Sequence, residues 1–291
     1  MKTKKWTRAW LVIGVLVLAV LRAEAQTVVA WNLEWYPGRK RVNPTAAAEQ
    51  VQIAACREAL QKLNPDIFIA EEMRDWQAFA DLVSVVPGLH PQVVSAFRDP
   101  ETGELTRQQV GIASKLKAVA AWSEPWKPVL PKLPRGYSFA ALESPDGGGL
   151  LMVYGLHLKS NVAKTDEDKK YDAQLRDAAV KQLLAHMEAM QTVFKAHKIE
   201  GWISAGDYNT NQDGQFQDTV VATMVGAGFW NSWKETLRQD RLTWRGNPSF
   251  HNDPTTFDYI FTKGLGEPKA TMPSEPKETS DHLPVMVHLK P

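Results

Sequence analysis

Six short apolar runs, separated by polar segments, limit the folds open to this chain more than any other feature of its sequence. They span residues 27–31, 66–70, 150–156, 202–205, 257–261 and 283–289. Continuous apolar runs of this length are typical of β-strands that are covered on both faces. We therefore predict sheets that pack against each other, with helices outside.

Two helices are predicted from the spacing of apolar residues. The first begins at Asn43-Pro44, a capping residue followed by proline at the first helical position, and stops at Asn64-Pro65. The second covers residues 173–194, where an apolar stripe follows helical spacing. Between the helices, the glycine-rich segment that precedes the run at 150–156 is predicted to form a hairpin turn.

The first 25 residues have the pattern of a secretory signal peptide. Basic residues precede an apolar run at 11–21, and Ala23-Glu24-Ala25 is a small-x-small cleavage site. A retained membrane anchor is the alternative, but the apolar core is short for a bilayer span of roughly 20 residues. We expect cleavage after Ala25, a secreted or periplasmic protein, and no stable membrane insertion of the mature chain.

The mature chain, residues 26–291, is expected to form one domain and to be a monomer. Its length suits one large domain or two small ones, and no internal repeat or long low-complexity linker divides it. It carries 29 basic and 32 acidic residues, a net charge of −3, which is not typical of proteins held to nucleic acid by bulk charge. Cys56, the only cysteine, lies on the apolar side of the first helix, so we expect a buried, inert thiol.

Polar residues of catalytic type lie just past the ends of the apolar runs. They are Asn32, Glu71, Glu72, His157, Asp207, Asn209, Asp281 and His282, and Asp258 lies inside a run. Strand ends are fixed by the sheet, so side chains there can converge on one site. Each residue taken alone has a structural alternative: a solvated acid, an Asx turn, a satisfied core histidine or a buried structural Asp.

Carboxylates at strand ends suit a hard cation such as Mg²⁺, which takes oxygen ligands. Glu71 and Glu72 point to opposite faces of a strand, so we expect only one of them to enter the site. Asp281 can bind the metal while His282 faces the attacking water as general base. Asp258 is the candidate carboxylate that orients His282.

The remaining polar residues suit phosphate chemistry. Asp207 can orient a nucleophile or bind metal, while the amide of Asn209 and the imidazole of His157 can donate hydrogen bonds to phosphoryl oxygens. The chain has no serine or cysteine nucleophile elbow, no HExxH motif and no Cys/His zinc pattern. The residues therefore fit metal-assisted hydrolysis by direct attack of water.

The order of these motifs resembles the endonuclease/exonuclease/phosphatase superfamily, which includes type I deoxyribonuclease-like enzymes, inositol polyphosphate 5-phosphatases and bacterial sphingomyelinases. An Asn ends the first strand, a Glu ends the next, and a His, a GDxN motif, an Asp within an apolar run and an SDH motif follow. The resemblance extends from Val28 to Leu289. It implies an α/β (α+β) fold: a four-layer sandwich of two mostly antiparallel β-sheets packed face to face with helices outside.

The resemblance also implies roles for single residues. Metal ligands by this match are Glu72, Asn32 and Asp281, and catalytic residues are His282, Asp258, His157, Asp207 and Asn209. Glu71 stands where the family usually has Gln, and Arg176 resembles a recurrent family Arg to which we assign no chemistry. The implied cofactor is Mg²⁺, with Mn²⁺ and Ca²⁺ as alternatives.

Three functions are compatible with these residues. The first is a nuclease, whose cationic surface would include Arg39-Lys40-Arg41, Arg98 and Arg107, although these are equally well explained as solvated charges. The second is a phosphatase or phosphodiesterase of lipid head groups, inositol phosphates or other small phosphoesters, for which the tryptophans at 122–126 and 230–233 could form membrane-facing loops or simply pack in the core. The third is a catalytically silent binding module on the same scaffold.

Overall fold

A computed structural model of the protein describes residues 25–99, 102–128, 130, 133–162, 165–247 and 253–290. The predicted signal peptide lies outside these residues except for Ala25, so cleavage after Ala25 stays a prediction. No helix within the described part of the chain is long and apolar enough to cross a membrane.

The first sheet has five strands. They are β1 (Thr27–Tyr36), β2 (Ile67–Met73), β3 (His90–Val94), β4 (Gln109–Ser114) and β11 (Val285–His288). Their order is β11-β1-β2-β4-β3. Only the pair β1–β2 is parallel among the pairings of the described strands of this sheet, because the chain between them crosses over through a helix.

The second sheet has six strands. They are β5 (Ala118–Pro125), β6 (Gly136–Glu143), β7 (Leu150–His157), β8 (Ile199–Asp207), β9 (Trp230–Asn231) and β10 (Asp258–Lys263). The order is β5-β6-β7-β8-β10-β9, and β7–β8 is the parallel pair. The antiparallel pairing of β6 with β7 across residues 144–149 confirms the predicted hairpin.

Four α-helices complete the described structure. They are α1 (Ala46–Leu63), α2 (Trp76–Val83), α3 (Asp166–Val193) and α4 (Val220–Gly226), with a short 3₁₀ turn at Arg238–Asp240. Apolar residues of α1 and α2 share one core with β1 and β2, and those of α3 and α4 pack with the second sheet. The predicted sandwich of two mostly antiparallel sheets with helices outside is confirmed.

Alternation along β1 shows how the layers are separated. Val28 and Ala30 belong to the core shared with the second sheet, whereas Val29 and Trp31 pack on the helix side. The two sheets pack face to face: β1 contacts β8 and β10, and β2 contacts β7 and β8. Asn32 continues the inward series beyond Ala30, so it leaves the first sheet toward the second at the end of β1.

The structure corrects both predicted helix starts. The first helix begins at Ala46 rather than at Asn43-Pro44, because Thr45 is the cap and its hydroxyl accepts the amide of Ala48 at 3.2 Å. Asn43 instead lies in the preceding loop with a φ of 48°. The predicted end is confirmed by Asn64, whose left-handed conformation closes the helix, and Cys56 is fully buried as expected.

The long helix begins at Asp166, seven residues before the predicted start at 173. Thr165 caps it by accepting the amide of Asp168 at 3.1 Å, and the first turn carries three acids, which favour the positive end of the helix dipole. These first turns are charged and exposed, so no apolar stripe marked them. The helix therefore projects beyond the core at its start.

Candidate active site

Three side chains of the second sheet are aligned by strand register. His157 is paired with Asp207 across the parallel strands β7 and β8, and Asp207 is paired with Asp258 across the antiparallel strands β8 and β10. Directly paired residues lie on the same face of a sheet. The three polar side chains, which are nearly fully buried, thus stand in a row at the sheet end that faces the first sheet.

The first sheet contributes Asn32 and Glu72 at a local irregularity. The register between β1 and β2 shifts after Asn32, where Glu34 and Trp35 have φ values of 47° and 54°. Glu72 has a φ of 59°, which turns its side chain out of the regular alternation. The amide of Trp35 then donates to the Glu72 carboxylate at 2.9 Å and fixes its direction.

The C-terminal motif enters the site on a loop before β11. Ser280 donates from its hydroxyl to the carbonyl of Asn32 at 2.7 Å and accepts the amide of His282 at 3.0 Å. The His282 ring places Nδ1 2.8 Å from Oδ2 of Asp258, so this carboxylate fixes which nitrogen carries the proton. Nε2 of His282 is left to face the centre of the site, 4.0 Å from Asp281.

Hydrogen bonds across the interface between the sheets join the two halves of the site. Nδ2 of Asn32 donates to Asp207 at 3.0 Å and to Glu72 at 3.3 Å. Nε2 of His157 lies 3.4 Å from Asp207 and 3.9 Å from Glu72. Asn209, with a φ of 50°, donates its backbone N–H to Asp207 at 2.8 Å, and its side-chain Nδ2 donates to the carbonyl of Leu158 at 3.1 Å. All eight residues proposed from the sequence as catalytic or metal-binding therefore lie in one connected cluster.

The electrostatics of this cluster are dominated by buried carboxylates. Burial and then the Asp281 carboxylate raise the pKa of Glu72, and burial with Asp258 raises the pKa of Asp207 to about 7. Burial lowers the pKa of His282, but the adjacent Asp258 outweighs this and the pKa lies well above its usual value. Each shift reports negative charge held at close quarters in a low dielectric.

The cluster fits a divalent cation. Ligand atoms of Asp207, Asp258 and His282 lie within 4.8 Å of one another, and in the described chain the ion-pair partners of these acids and of Glu72 are histidines, not Lys or Arg. Such uncompensated carboxylates are suited to a hard cation. In this arrangement the Asn32 oxygen accepts the amide of Glu34, so Asn32 presents its nitrogen to the acids and aligns them.

Glu71 lies beneath the site, although only one of Glu71 and Glu72 was expected to enter it. Both of its carboxylate oxygens are buried without a hydrogen-bond partner in the described chain. Burial, followed by the charges of Asp258 and Asp207, raises its pKa well above the usual value. Because Glu72 is turned by its backbone, both acids approach the site: Glu72 through its rim and Glu71 through its floor, against Gly206.

Arg135 is a functional candidate that the sequence did not reveal. It precedes β6 with a φ of 64° and donates to the carbonyls of His157 and Leu158 at 2.8 and 2.5 Å. Its charge, with burial as the larger cause, lowers the pKa of His157, so the imidazole is neutral near pH 7. The sequence signal that could have pointed to Arg135 is the buried strand β6 that directly follows it. This run was not recognised as a strand from the sequence.

Trp244 and Glu34 also touch the site without having been predicted. Nε1 of Trp244 donates to Asp281 at 3.0 Å, and the ring stacks beside Phe257, which in turn lies against the ring of His282. Glu34 accepts the amide of Asp281 at 2.9 Å. Neither residue belongs to an apolar run or to a recognised motif, so only the folded chain reveals them.

Arg176 supports the loops around the site rather than joining it. It is 1% exposed and donates to Asp218 at 2.8 Å and to the carbonyls of Lys159 and Phe216. The predicted cationic surface is partly engaged in the fold as well. Arg39, Arg98 and Arg107 donate to backbone carbonyls of Lys277, Gly103 and Pro37, whereas Lys40 and Arg41 are exposed.

The fold and the site together define a phosphoesterase built on a two-sheet sandwich, with acids and histidines from both sheets meeting at one rim. The chain belongs to the endonuclease/exonuclease/phosphatase family, whose sequence model matches residues 29–282. Members of this family hydrolyse phosphoester bonds and typically depend on a divalent metal. No curated protein matches the chain in sequence.

Solved structures of low identity have the same fold. A mannosyl-6-phosphatase from Bacteroides thetaiotaomicron is 17% identical, with 91% of this chain and 99% of that chain covered and a TM-score of 0.61. A family member from Bacteroides vulgatus is 14% identical, with 91% of this chain and 98% of that chain covered and a TM-score of 0.64. TDP2 from Caenorhabditis elegans is 15% identical, with 94% of this chain and 77% of that chain covered and a TM-score of 0.61.

Proposed function

We propose that the protein is an exported, metal-dependent phosphodiesterase that cuts nucleic acid in the manner of a type I deoxyribonuclease-like endonuclease. One observation carries the catalytic part of this proposal. The buried His282–Asp258 pair, at 2.8 Å, faces Asp207 and lies at the same rim as Glu72. A base held by a carboxylate beside a cluster of acids is suited to activating water next to a bound cation.

Each residue has a role that follows from its contacts. Glu72 and Asp281 would hold Mg²⁺, which when bound polarises the phosphoryl group and stabilises the leaving oxygen. In its neutral form His282 takes the proton from the attacking water at Nε2, because Nδ1 is committed to Asp258. A cation bound beside the acids would favour this neutral form over the imidazolium that the acids alone stabilise. Asn209 and the neutral His157 donate to phosphoryl oxygens, and Asp207 orients the water.

Nucleic acid is the first substrate candidate because exposed cations lie beside the site. A groove of about 500 Å³ opens beside Glu34, lined by Arg39, Lys40 and the apolar first turns of α1. Lys40 and Arg41 are exposed in this loop, and Arg107 donates to the carbonyl of Pro37 in the same loop. Cations beside the scissile position are what a chain of phosphates requires.

A small phosphoester is the second candidate, favoured by the aromatic wall beside the base. This wall consists of three aromatic rings. The ring centroid of Phe257 lies 5.4 Å from that of Trp244 and 5.4 Å from that of Phe216. The half-buried rings of Trp244 and Phe216 in this wall would accept a sugar or an aromatic leaving group. A lipid substrate is less favoured, because Trp126 and Trp233 are 5% and 1% exposed and pack in the core, while Trp122 and Trp230 are half-buried with their indole nitrogens bonded to Glu124 and to the carbonyl of Pro268.

A substrate panel tests the proposal. Purified protein would be incubated with Mg²⁺ or with EDTA and supercoiled plasmid DNA, sphingomyelin, inositol phosphates, mannose 6-phosphate or bis(4-nitrophenyl) phosphate. We expect nicking of DNA that requires Mg²⁺ and is lost in His282→Ala and Asp207→Ala. Activity that survives either substitution would reject the assignment, and hydrolysis of no substrate would favour a silent binding module.

A further inference from the structure

Asp281 is more exposed than the Glu72 and Asp207 carboxylates of the site. Its side chain is 36% exposed, against 12% for Glu72 and 3% for Asp207. It lies on a loop rather than at a strand end, so the sheet does not fix its position. Its placement depends on the contacts that the loop makes with other segments.

Glu34 supplies one of these contacts. Its left-handed backbone directs the carboxylate toward the C-terminal loop, where Oε2 accepts the amide of Asp281 at 2.9 Å. The same oxygen accepts Nε of Arg39 at 2.6 Å. The cation therefore shares this oxygen with the Asp281 amide and offsets the repulsion that the Glu34 and Asp281 carboxylates would otherwise have.

Arg39 also contacts the C-terminal loop directly. Its Nη1 donates to the carbonyl of Lys277 at 2.6 Å, four residues before Asp281. The guanidinium thus joins the loop after β1 to the C-terminal loop directly through Lys277 and indirectly through Glu34. A planar fork with fixed donors is suited to holding two acceptors at a set spacing.

We propose that Arg39 and Glu34 are positioning residues that hold Asp281 in place for the divalent cation. The proposal rests on the function proposed above and deepens it. It also separates the Arg39-Lys40-Arg41 run into one cation that is bound to Glu34 and Lys277, Arg39, and two exposed cations that remain available to substrate. Partners of metal ligands typically change metal affinity by about 10- to 100-fold when removed.

Calorimetric titration of Mn²⁺ into the metal-free protein tests this proposal. We expect Arg39→Gln and Glu34→Gln each to weaken Mn²⁺ binding by about tenfold or more. The double variant is expected to be no weaker than the worse single one, because Arg39 and Glu34 form one ion-paired unit that holds the loop at Lys277 and at Asp281. Arg41→Ala removes a charge from the same loop and is expected to leave Mn²⁺ affinity unchanged.

Activity at rising Mn²⁺ gives the second readout. We expect Arg39→Gln to approach the wild-type kcat at saturating metal, since Arg39 does not touch the reacting atoms. Unchanged Mn²⁺ affinity in Arg39→Gln would overturn the proposal, as would additive losses in the double variant, which would make Glu34 a ligand in its own right. Failure of the wild type to bind Mn²⁺ or hydrolyse any ester would instead overturn the proposed function.

Discussion

At the scale of single residues, the site depends on pairs in which one side chain fixes another. Asp258 fixes the His282 ring, and Asn32 holds Asp207 and Glu72 with one amide nitrogen. Such residues do little chemistry themselves, but they remove the freedom that a loop-borne or flexible side chain would have. Their substitution should therefore affect rate more than binding.

The Asp258–His282 pair gives the first prediction. Asp258→Asn should lower kcat by about 10²- to 10⁴-fold, because His282 loses the carboxylate that orients it as a base. The KM of the substrate should change little, since Asp258 is buried behind His282. Asp253→Asn, an exposed acid shortly before β10, is the control. A normal kcat in Asp258→Asn would remove the assigned role.

Glu71 gives a prediction on stability. Glu71→Gln keeps the shape of the side chain and replaces a buried acid, whose ionised form is opposed by burial and by Asp258 and Asp207, with a neutral amide. We expect the free energy of unfolding in urea with EDTA to rise by about 1 kcal/mol. Glu143→Gln, a half-exposed acid on β6, should change it by less than about 0.5 kcal/mol. A destabilised Glu71→Gln would contradict this account.

At the scale of elements, the sequence predicted the strands that carry the site better than those at the sheet edges. The runs leading to Glu72, His157 and Asp207 were recognised because they are continuous and apolar. β3 contains a proline and β5 is only half-buried, so neither has a clear apolar run. The bulge at Glu34 and Trp35 was also not predictable, because it depends on pairing with β2 and not on local sequence.

The link between α3 and the site loops gives a prediction for this scale. Arg176→Ala should lower the free energy of unfolding by about 3 kcal/mol, because it leaves Asp218 buried without its cation. Lys169→Ala, which breaks the exposed pair with Asp166 on the same helix, should cost less than about 0.5 kcal/mol. Urea denaturation measures both, and equal losses would contradict the assigned role of Arg176.

The contact of α3 with the second sheet should depend on pH. Burial lowers the pKa of His186, which hydrogen-bonds Tyr154 and packs against the rings of Tyr137 and Phe139. A histidine with a lowered pKa stabilises the fold above its unfolded pKa of about 6.5, and the stabilisation is lost as the pH falls below this value. Urea unfolding should show this loss, of less than about 1 kcal/mol per pH unit.

Two histidine variants separate the contribution of His186 to the pH dependence of unfolding from the contributions of other groups. His186→Gln should flatten the decline in the free energy of unfolding between pH 7 and pH 5, because it removes the titrating group from the interface. His90→Gln, at the exposed first residue of β3, should leave the decline as it is in the wild type. A decline unchanged by His186→Gln would place its origin elsewhere.

At the scale of the whole molecule, the fold brings together residues that are up to 250 positions apart in sequence, from Asn32 to His282. Motif order predicted this convergence, because the motifs lie at strand ends or directly before a strand, and the strands of the two sheets share a rim. The supporting residues Arg135, Trp244 and Glu34 were not predictable, since their roles arise only from the packing of loops. Sequence thus identified the reacting groups but not the side chains that hold them.

The most direct test of this account is a double-mutant cycle across the sheet interface. The rate constant kcat/KM with Mg²⁺ would be measured for the fastest substrate of the panel in the wild type, Glu72→Gln, His282→Ala and the double variant. We expect each single change to lower kcat/KM by about 10³-fold or more, and the double variant to lie within about tenfold of the worse single one. Independent losses that multiply, or normal activity in either single variant, would contradict a single site shared by the two sheets.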